Sequence, residues 1–133
     1  MAGSDAFLDS NVLLYLLSSD AAKADRAEAI LRSGATVSVQ VLNEVTNVAR
    51  RKLALSWAEI DELLALVEAF VAVEPLTVET NRLGRTLAQR HQLALYDAMI
   101  AASALIAECR TLYSEDMHSG LVIDDTLRIV NPF

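Results

Sequence analysis

The chain alternates short apolar runs with segments whose apolar residues recur every three to four positions. This pattern continues from Ala6 to Val130 without a linker, repeat or low-complexity break. Ala6–Leu8 reads as a short buried strand, and Asp9-Ser10-Asn11 supplies capping residues for a helix running through Leu17. Ser19-Asp20 opens a second helix, Ala21–Arg32, which Ser33-Gly34 ends. Thr36–Val39 is β-branched and reads as a strand, after which Val41, Leu42, Val45, Val48, Ala49 and Leu53 fall at helical spacing. Ser56 followed by Glu59 has the form of a capping box and predicts a long helix to about Val71. A short strand carrying Pro75 is expected over Val73–Leu76, then helices over Val78–His91 and Tyr96–Cys109. Strands over Thr111–Ser114 and Leu127–Val130 complete the prediction.

Short apolar strands alternating with helices indicate an α/β layer architecture with a largely parallel sheet. At 133 residues the chain has the length of one domain. In parallel sheets the chemistry collects at the carboxyl ends of the strands. Asp9 directly follows the first predicted strand, and Asp116 follows the Thr111–Ser114 strand.

These two belong to a set of four acidic residues set at the edges of apolar segments: Asp9, Glu44, Asp97 and Asp116. Carboxylates among Val, Leu and Ile are expensive to desolvate unless something compensates the charge. Each also has a plain structural role open to it. Asp9 is a good helix N-cap, although three short polar residues in a row are more than one cap requires. Glu44 lies at the boundary of the Val41–Val45–Val48 stripe, with Arg51 on nearly the same azimuth, and an exposed boundary carboxylate would sit there unremarked. Asp97 opens a segment that is apolar nearly all round, Ala98–Ala107, where the helix dipole alone favours an acid in the first turn. Asp116 lies in a polar loop beside Glu115, shortly before Asp124-Asp125. All-carboxylate ligation suits a hard divalent cation such as Mg²⁺ or Mn²⁺ rather than Zn²⁺, which favours His and Cys.

Composition narrows the function further. Hydrophobic residues make up 53 %, with four Gly and two Pro, as in a compact helix-rich globule. The formal net charge of −7 argues against a generic electrostatic nucleic-acid binder. A metal-assisted nuclease remains compatible, because bound cations and a local basic group reverse the field at the phosphate. The one cysteine, Cys109, forms no internal disulfide and reads as a packed small hydrophobe, with a reactive thiol as the alternative. The longest near-apolar run, Ala98–Ala107, is too short to span a bilayer, and Met-Ala-Gly-Ser-Asp lacks the pattern of a signal peptide. Cytoplasmic residence, without membrane association, is the expectation.

Four segments, in order and at their spacings, resemble the PIN-domain ribonucleases, specifically the toxin half of a VapBC-type toxin–antitoxin pair. They are Phe7-Leu8-Asp9-Ser10-Asn11-Val12-Leu13-Leu14-Tyr15; Ser38-Val39-Gln40-Val41-Leu42-Asn43-Glu44-Val45; Tyr96-Asp97-Ala98-Met99-Ile100-Ala101-Ala102-Ser103-Ala104; and Leu112-Tyr113-Ser114-Glu115-Asp116. The resemblance spans essentially the whole chain. It implies a single PIN-like three-layer α/β/α domain over residues 1–133 with a central, mostly parallel sheet. It also implies a Mg²⁺- or Mn²⁺-dependent endoribonuclease in which Asp9, Glu44, Asp97 and Asp116 are catalytic metal ligands, supported by Asn11 and Ser114. The implied products carry 5′-phosphate and 3′-hydroxyl ends, and the implied partners are an RNA substrate, a cognate VapB-like antitoxin and a second copy of the chain. The loop after Asp116 reads Met-His-Ser-Gly-Leu and departs from the family in lacking an aromatic residue soon after the last acid.

The basic residues stand in small groups: Arg50-Arg51-Lys52, Arg82 with Arg85, and Arg90 with His91. Solvated helix faces account for such groups, and one bordering the acids would grip phosphate. His118 reads as a surface loop residue. The helix from Trp57 carries Ile60, Leu63, Leu64, Leu66, Val67 and Phe70, more apolar surface than a one-sided stripe requires, which suggests self-association. A phospho-acceptor signalling domain also places acids at strand ends, but it needs a late lysine and the last one here is Lys52. A catalytically inactive PIN-like module that binds RNA or protein is the remaining alternative.

Overall fold

The computed structural model describes residues 5–133. Its elements, in chain order, are β1 (Ala6–Leu8), α1 (Ser10–Leu14) continued by a 3₁₀ turn (Tyr15–Leu17), α2 (Ala21–Arg32), β2 (Ala35–Ser38) and α3 (Val39–Arg51). They are followed by α4 (Trp57–Glu68), β3 (Val71–Glu74), α5 (Val78–His91), α6 (Leu95–Ile106), β4 (Thr111–Tyr113), β5 (Val122–Ile123) and β6 (Leu127–Val130). The strands form one sheet in the order β3-β2-β1-β4-β6-β5, parallel throughout except for β5 against β6. The expected α/β architecture with a mostly parallel sheet is therefore what forms.

All four residues of β2 are buried, on both faces of its pleat. That is the signature of a parallel strand covered by helices on either side. The core runs through β1 (Phe7, Leu8), α3 (Val41, Val45), α6 (Ala98, Ile100, Ala101, Ala102, Ala104) and β4–β6 (Leu112, Ile123, Leu127, Ile129). Among the described residues no helix is long and apolar enough to cross a membrane.

Local chemistry sets the element boundaries, and several differ from the sequence expectation. The helix expected through Leu17 tightens to a 3₁₀ turn from Tyr15. The strand expected over Thr36–Val39 covers Ala35–Ser38, because the Ser38 hydroxyl accepts from the Val41 N–H at 3.3 Å and caps α3 there. The helix expected to reach Val71 ends at Glu68, and β3 occupies Val71–Glu74 rather than Val73–Leu76. Two constraints set that strand: pairing with β2 puts Val71 opposite Ala35, and Pro75, having no N–H, lies beyond its end. The last helix stops at Ile106 instead of Cys109, since Glu108 adopts a positive φ of 59°. β5 was not expected. It is a two-residue strand turned back on β6 through Asp124 and Asp125, both at positive φ. Asp tolerates that conformation better than most residues, so Asp-Asp was the legible trace of the hairpin.

Helices α5 and α6 pack closely, and Gly84 is what lets them. A Cβ built at Gly84 would lie 2.8 Å from Met99 Cγ and 3.2 Å from Met99 Cα. Replacement by Ala gains roughly 1 kcal/mol of helix propensity. Overpacking against the backbone of α6 costs about 1–3 kcal/mol, and we expect the clash to prevail. Gly84→Ala should therefore lower the midpoint of thermal unfolding, and an unchanged or raised midpoint would show that α6 yields freely.

Candidate active site

The sheet brings the first and last acids together before any side chain is considered. β1 and β4 are adjacent and parallel with Leu8 opposite Tyr113, so the residues that leave the two strands emerge side by side. The Asp9 N–H donates to the Tyr113 carbonyl at 2.9 Å, and the Ser114 N–H to the Val130 carbonyl at 3.0 Å, which ties both exits to the sheet. Asp9 caps α1, as its place before the helix predicts, with its carboxylate accepting from the Ser10 N–H at 2.7 Å. The same carboxylate also accepts from the Ser114 hydroxyl at 2.7 Å and from the Asn11 amide at 3.2 Å. Asp9 thus caps the helix and serves the cluster at once.

The other three acids are delivered by neighbouring elements. Glu44 projects from the second turn of α3, where it accepts from the Ser10 hydroxyl at 2.8 Å and from the Gln40 amide at 3.0 Å. Asp97 lies in the first turn of α6, half-buried, and no hydrogen-bond donor among the described residues reaches its carboxylate. Asp116 is exposed in the loop after β4 and accepts from the Asn11 amide at 3.2 Å. Asn11 therefore bridges Asp9 and Asp116, and Ser10 bridges Asp9 and Glu44.

Electrostatics link all four. Burial is the main cause that raises the Asp9 carboxyl from its ordinary 3.8 to about 6; the Ser114 and Ser10 hydrogen bonds oppose the rise, and Asp97 and Glu44 add to it. Asp97 is raised by burial first, then by Glu44 and Asp116. No protein cation is among the influences on either group. Among the described residues no three His, Cys, Asp or Glu side chains stand close enough to hold a metal ion as they lie. The donor set nevertheless suits a hard cation: four mutually repelling carboxylates with hydroxyl and amide neighbours, and no imidazole or thiolate in the cluster.

A groove of about 390 Å³ opens beside Asp116, lined by Asn11, Leu14, Tyr15, Val48, Leu53 and Glu115 among others. That volume is within the usual range of ligand clefts. Two of its lining residues, Val48 and Leu53, flank the segment Arg50-Arg51-Lys52 at the end of α3, and those three basic residues do not themselves line it. Arg50 is engaged with the Leu55 carbonyl at 3.0 Å and lies over the Trp57 ring, whereas Arg51 and Lys52 are exposed. Of the other basic groups, Arg85 bonds Asn81 and Arg90 pairs with Asp124 at 2.8 Å. Cys109 is buried, and burial pushes its thiol up, away from reactivity. His118 is exposed in the loop after Asp116.

Sequence reasoning missed two partners here. Gln40 stands one helical turn before Glu44, a spacing at which the contact could have been anticipated. Ser10, 34 positions from Glu44, gave no local sign of pairing with it.

The PIN domain family model matches residues 6–118, which include all four acids. The chain belongs to the PIN domain family. No curated protein matches the sequence. Solved structures similar to this PIN domain include a toxin–antitoxin complex from Klebsiella pneumoniae, at TM-score 0.72 and 19 % identity, covering 96 % of this chain and 98 % of that one. Another is VapC20 of Mycobacterium tuberculosis, a sarcin-ricin loop cleaving toxin, at TM-score 0.68 and 19 % identity, covering 84 % and 89 %. A third is VapBC2 of Rickettsia felis bound to a DNA fragment from its promoter, at TM-score 0.60 and 17 % identity, covering 84 % and 87 %. At these identities the likeness is one of fold.

Because the carboxyl of Asp9 titrates higher in the fold than in the unfolded chain, the native state binds its proton more tightly. Its contribution to stability is complete below about pH 4 and is lost as the pH rises through about 6. Urea unfolding in chelator should show stability falling by on the order of 3 kcal/mol across that window. Asp9→Asn should flatten the slope. An equally steep slope in the variant would assign the titration to another group.

Proposed function

We propose that this PIN domain is a metal-dependent endoribonuclease and the toxin component of a type II toxin–antitoxin system. The observation that carries the reading is the cluster of Asp9, Glu44, Asp97 and Asp116, whose negative charges burden one another without a protein cation to offset them. Mg²⁺ or Mn²⁺ held by these four would supply the missing charge, lower the pKa of a bound water and offset charge that develops on the phosphate under attack. The chain's own residues prepare the place. Ser10, Ser114 and Asn11 fix Asp9, Ser10 and Gln40 fix Glu44, and Asn11 reaches Asp116. Among the described residues Asp97 is left without a donor, as a side chain reserved for a cation would be.

Arg51 and Lys52, exposed between the groove residues Val48 and Leu53 in the chain, are suited to grip RNA phosphates on either side of the cleaved bond. VapC20 is a toxin that cleaves the sarcin-ricin loop, and the Klebsiella neighbour is a toxin–antitoxin complex. Both are in keeping with a structured RNA as substrate and a cognate VapB-like antitoxin as partner. An antitoxin Arg or Lys entering the acids would neutralise them directly, and a net charge of −7 would steer a basic tail toward the domain. Such an enzyme acts in the cytoplasm, where its RNA is. Leu66 and Trp57 of α4 remain exposed, in keeping with a homodimer.

Asp97→Asn tests the reading most cleanly, because Asp97 makes no hydrogen bond that its loss would break. The variant should fold normally, lose Mn²⁺ binding in calorimetry, and cleave a panel of structured RNAs slower by on the order of a hundredfold or more, as when one preorganised charge contact is removed. Expression of the wild type alone should arrest growth, and expression of the variant should not. Unchanged Mn²⁺ affinity in the folded variant would remove Asp97 from the ligand set, and a soluble wild type that neither cuts RNA nor slows growth would sink the toxin reading.

A further inference from the structure

The loop that carries Asp116 is gripped from outside the acid cluster by a second group of side chains. Asp116 is exposed, and the Asn11 amide is its one donor among the described residues. Its neighbour Glu115 is engaged elsewhere. The Glu115 carboxylate accepts from the Tyr15 hydroxyl and from Lys23 Nζ, the latter at 3.3 Å. Lys23 Nζ also donates to the Tyr15 oxygen at 3.2 Å and lies 4.8 Å from the centre of its ring. The Glu115 N–H donates to Asn11 Oδ1 at 3.1 Å. Asn11 and Tyr15 stand four residues apart, so successive turns of the first helical segment hold the main chain and the side chain of Glu115.

This grip is itself backed. The Phe133 ring packs on Tyr15 with centroids 4.5 Å apart, and Arg26 Nε donates to the Pro132 carbonyl at 3.2 Å, tying that segment to α2.

We propose that Tyr15, Lys23 and Glu115 form a clamp of positioning residues that sets Asp116 for the cation and keeps Glu115, a fifth carboxylate, out of the cluster. The proposal rests on the ribonuclease reading and deepens it. A half-exposed ion pair contributes little to stability, so stability alone does not account for three side chains and a packed ring converging on one loop residue. Positioning does. A hard cation demands near-ideal ligand geometry, and active-site groups must be held to within about half an ångström. Asp116, exposed in a loop, is the acid least able to meet that demand unaided. An unclamped Glu115 would also add a further negative charge one residue away.

The test compares Glu115→Ala, Glu115→Gln and Tyr15→Phe with the wild type, using Mn²⁺ calorimetry and steady-state cleavage of whichever structured RNA the wild type cuts. Glu115→Ala should weaken Mn²⁺ binding and lower kcat by about tenfold each, in the range seen when outer partners of metal ligands are lost, with KM for RNA little changed. Glu115→Gln keeps an oxygen for the Tyr15 hydroxyl and should recover most of that loss. Tyr15→Phe keeps the ring against Phe133, loses only the hydroxyl, and should weaken Mn²⁺ in the same direction; it decides the matter if Glu115→Ala does not fold. Wild-type Mn²⁺ affinity in both Glu115→Ala and Tyr15→Phe overturns the clamp while leaving the ribonuclease reading in place. A Glu115→Gln variant as impaired as Glu115→Ala, with Tyr15→Phe binding Mn²⁺ like the wild type, makes the Glu115 charge rather than its hold by Tyr15 the requirement and overturns the clamp as well. A wild type that binds no Mn²⁺ and cuts no RNA removes the reading beneath it.

Discussion

The carboxylate of Asp9, almost wholly removed from water at 3 % exposure, is the constraint around which the rest is arranged. A charge in that position must be offered donors, and its three closest are a backbone N–H, a hydroxyl and an amide. Two come from the residues that follow it in the chain. The third, from Ser114, exists only because β1 and β4 are neighbours in the sheet. Sheet order and site chemistry are thus one fact. Exchanging β4 for any other strand beside β1 would leave Asp9 buried without Ser114 and the loop of Asp116 without its attachment to Asn11.

The donors lower the cost of burying Asp9 but do not remove it, since the group still titrates near 6. What they do remove is freedom. Ser10 links Asp9 to Glu44 and Asn11 links Asp9 to Asp116, so three carboxylates from three elements share neutral partners. The arrangement holds like charges near one another without cancelling them. Pre-ordered repulsion of this kind is unfavourable by itself, and on the proposed reading a bound cation would offset it. Lys23, for its part, is occupied by Glu115 and Tyr15.

How much of this the sequence disclosed depended on range. Elements whose signals are local were legible almost to the residue: Ala6–Leu8, Ala21–Arg32 with its Asp20 cap, the Ser56–Glu59 capping box, and Val78–His91. Errors arose where a partner distant in sequence decided the outcome. β3 begins at Val71 because β2 pairs with it there, and β5 exists because β6 lies alongside. The acids stood out as charges misplaced in apolar surroundings, yet their hydrogen-bond partners did not. Ser10 and Glu115 are ordinary surface residues in the sequence, and only the fold brings Ser10 to Glu44, or Tyr15 and Lys23 to Glu115.

The unequal tethering of the acids has a bearing on how this domain can change over generations. Asp9 is a helix cap, a bridge and a member of the cluster together, so a substitution there disturbs folding and chemistry at once. Among the described residues no side-chain hydrogen bond ties Asp97 to another element. A lineage under pressure to silence the protein while keeping it folded has its shortest path through residue 97. On the ribonuclease reading, inactive descendants that persist as stable proteins should carry their lesion in α6 far more often than at the end of β1.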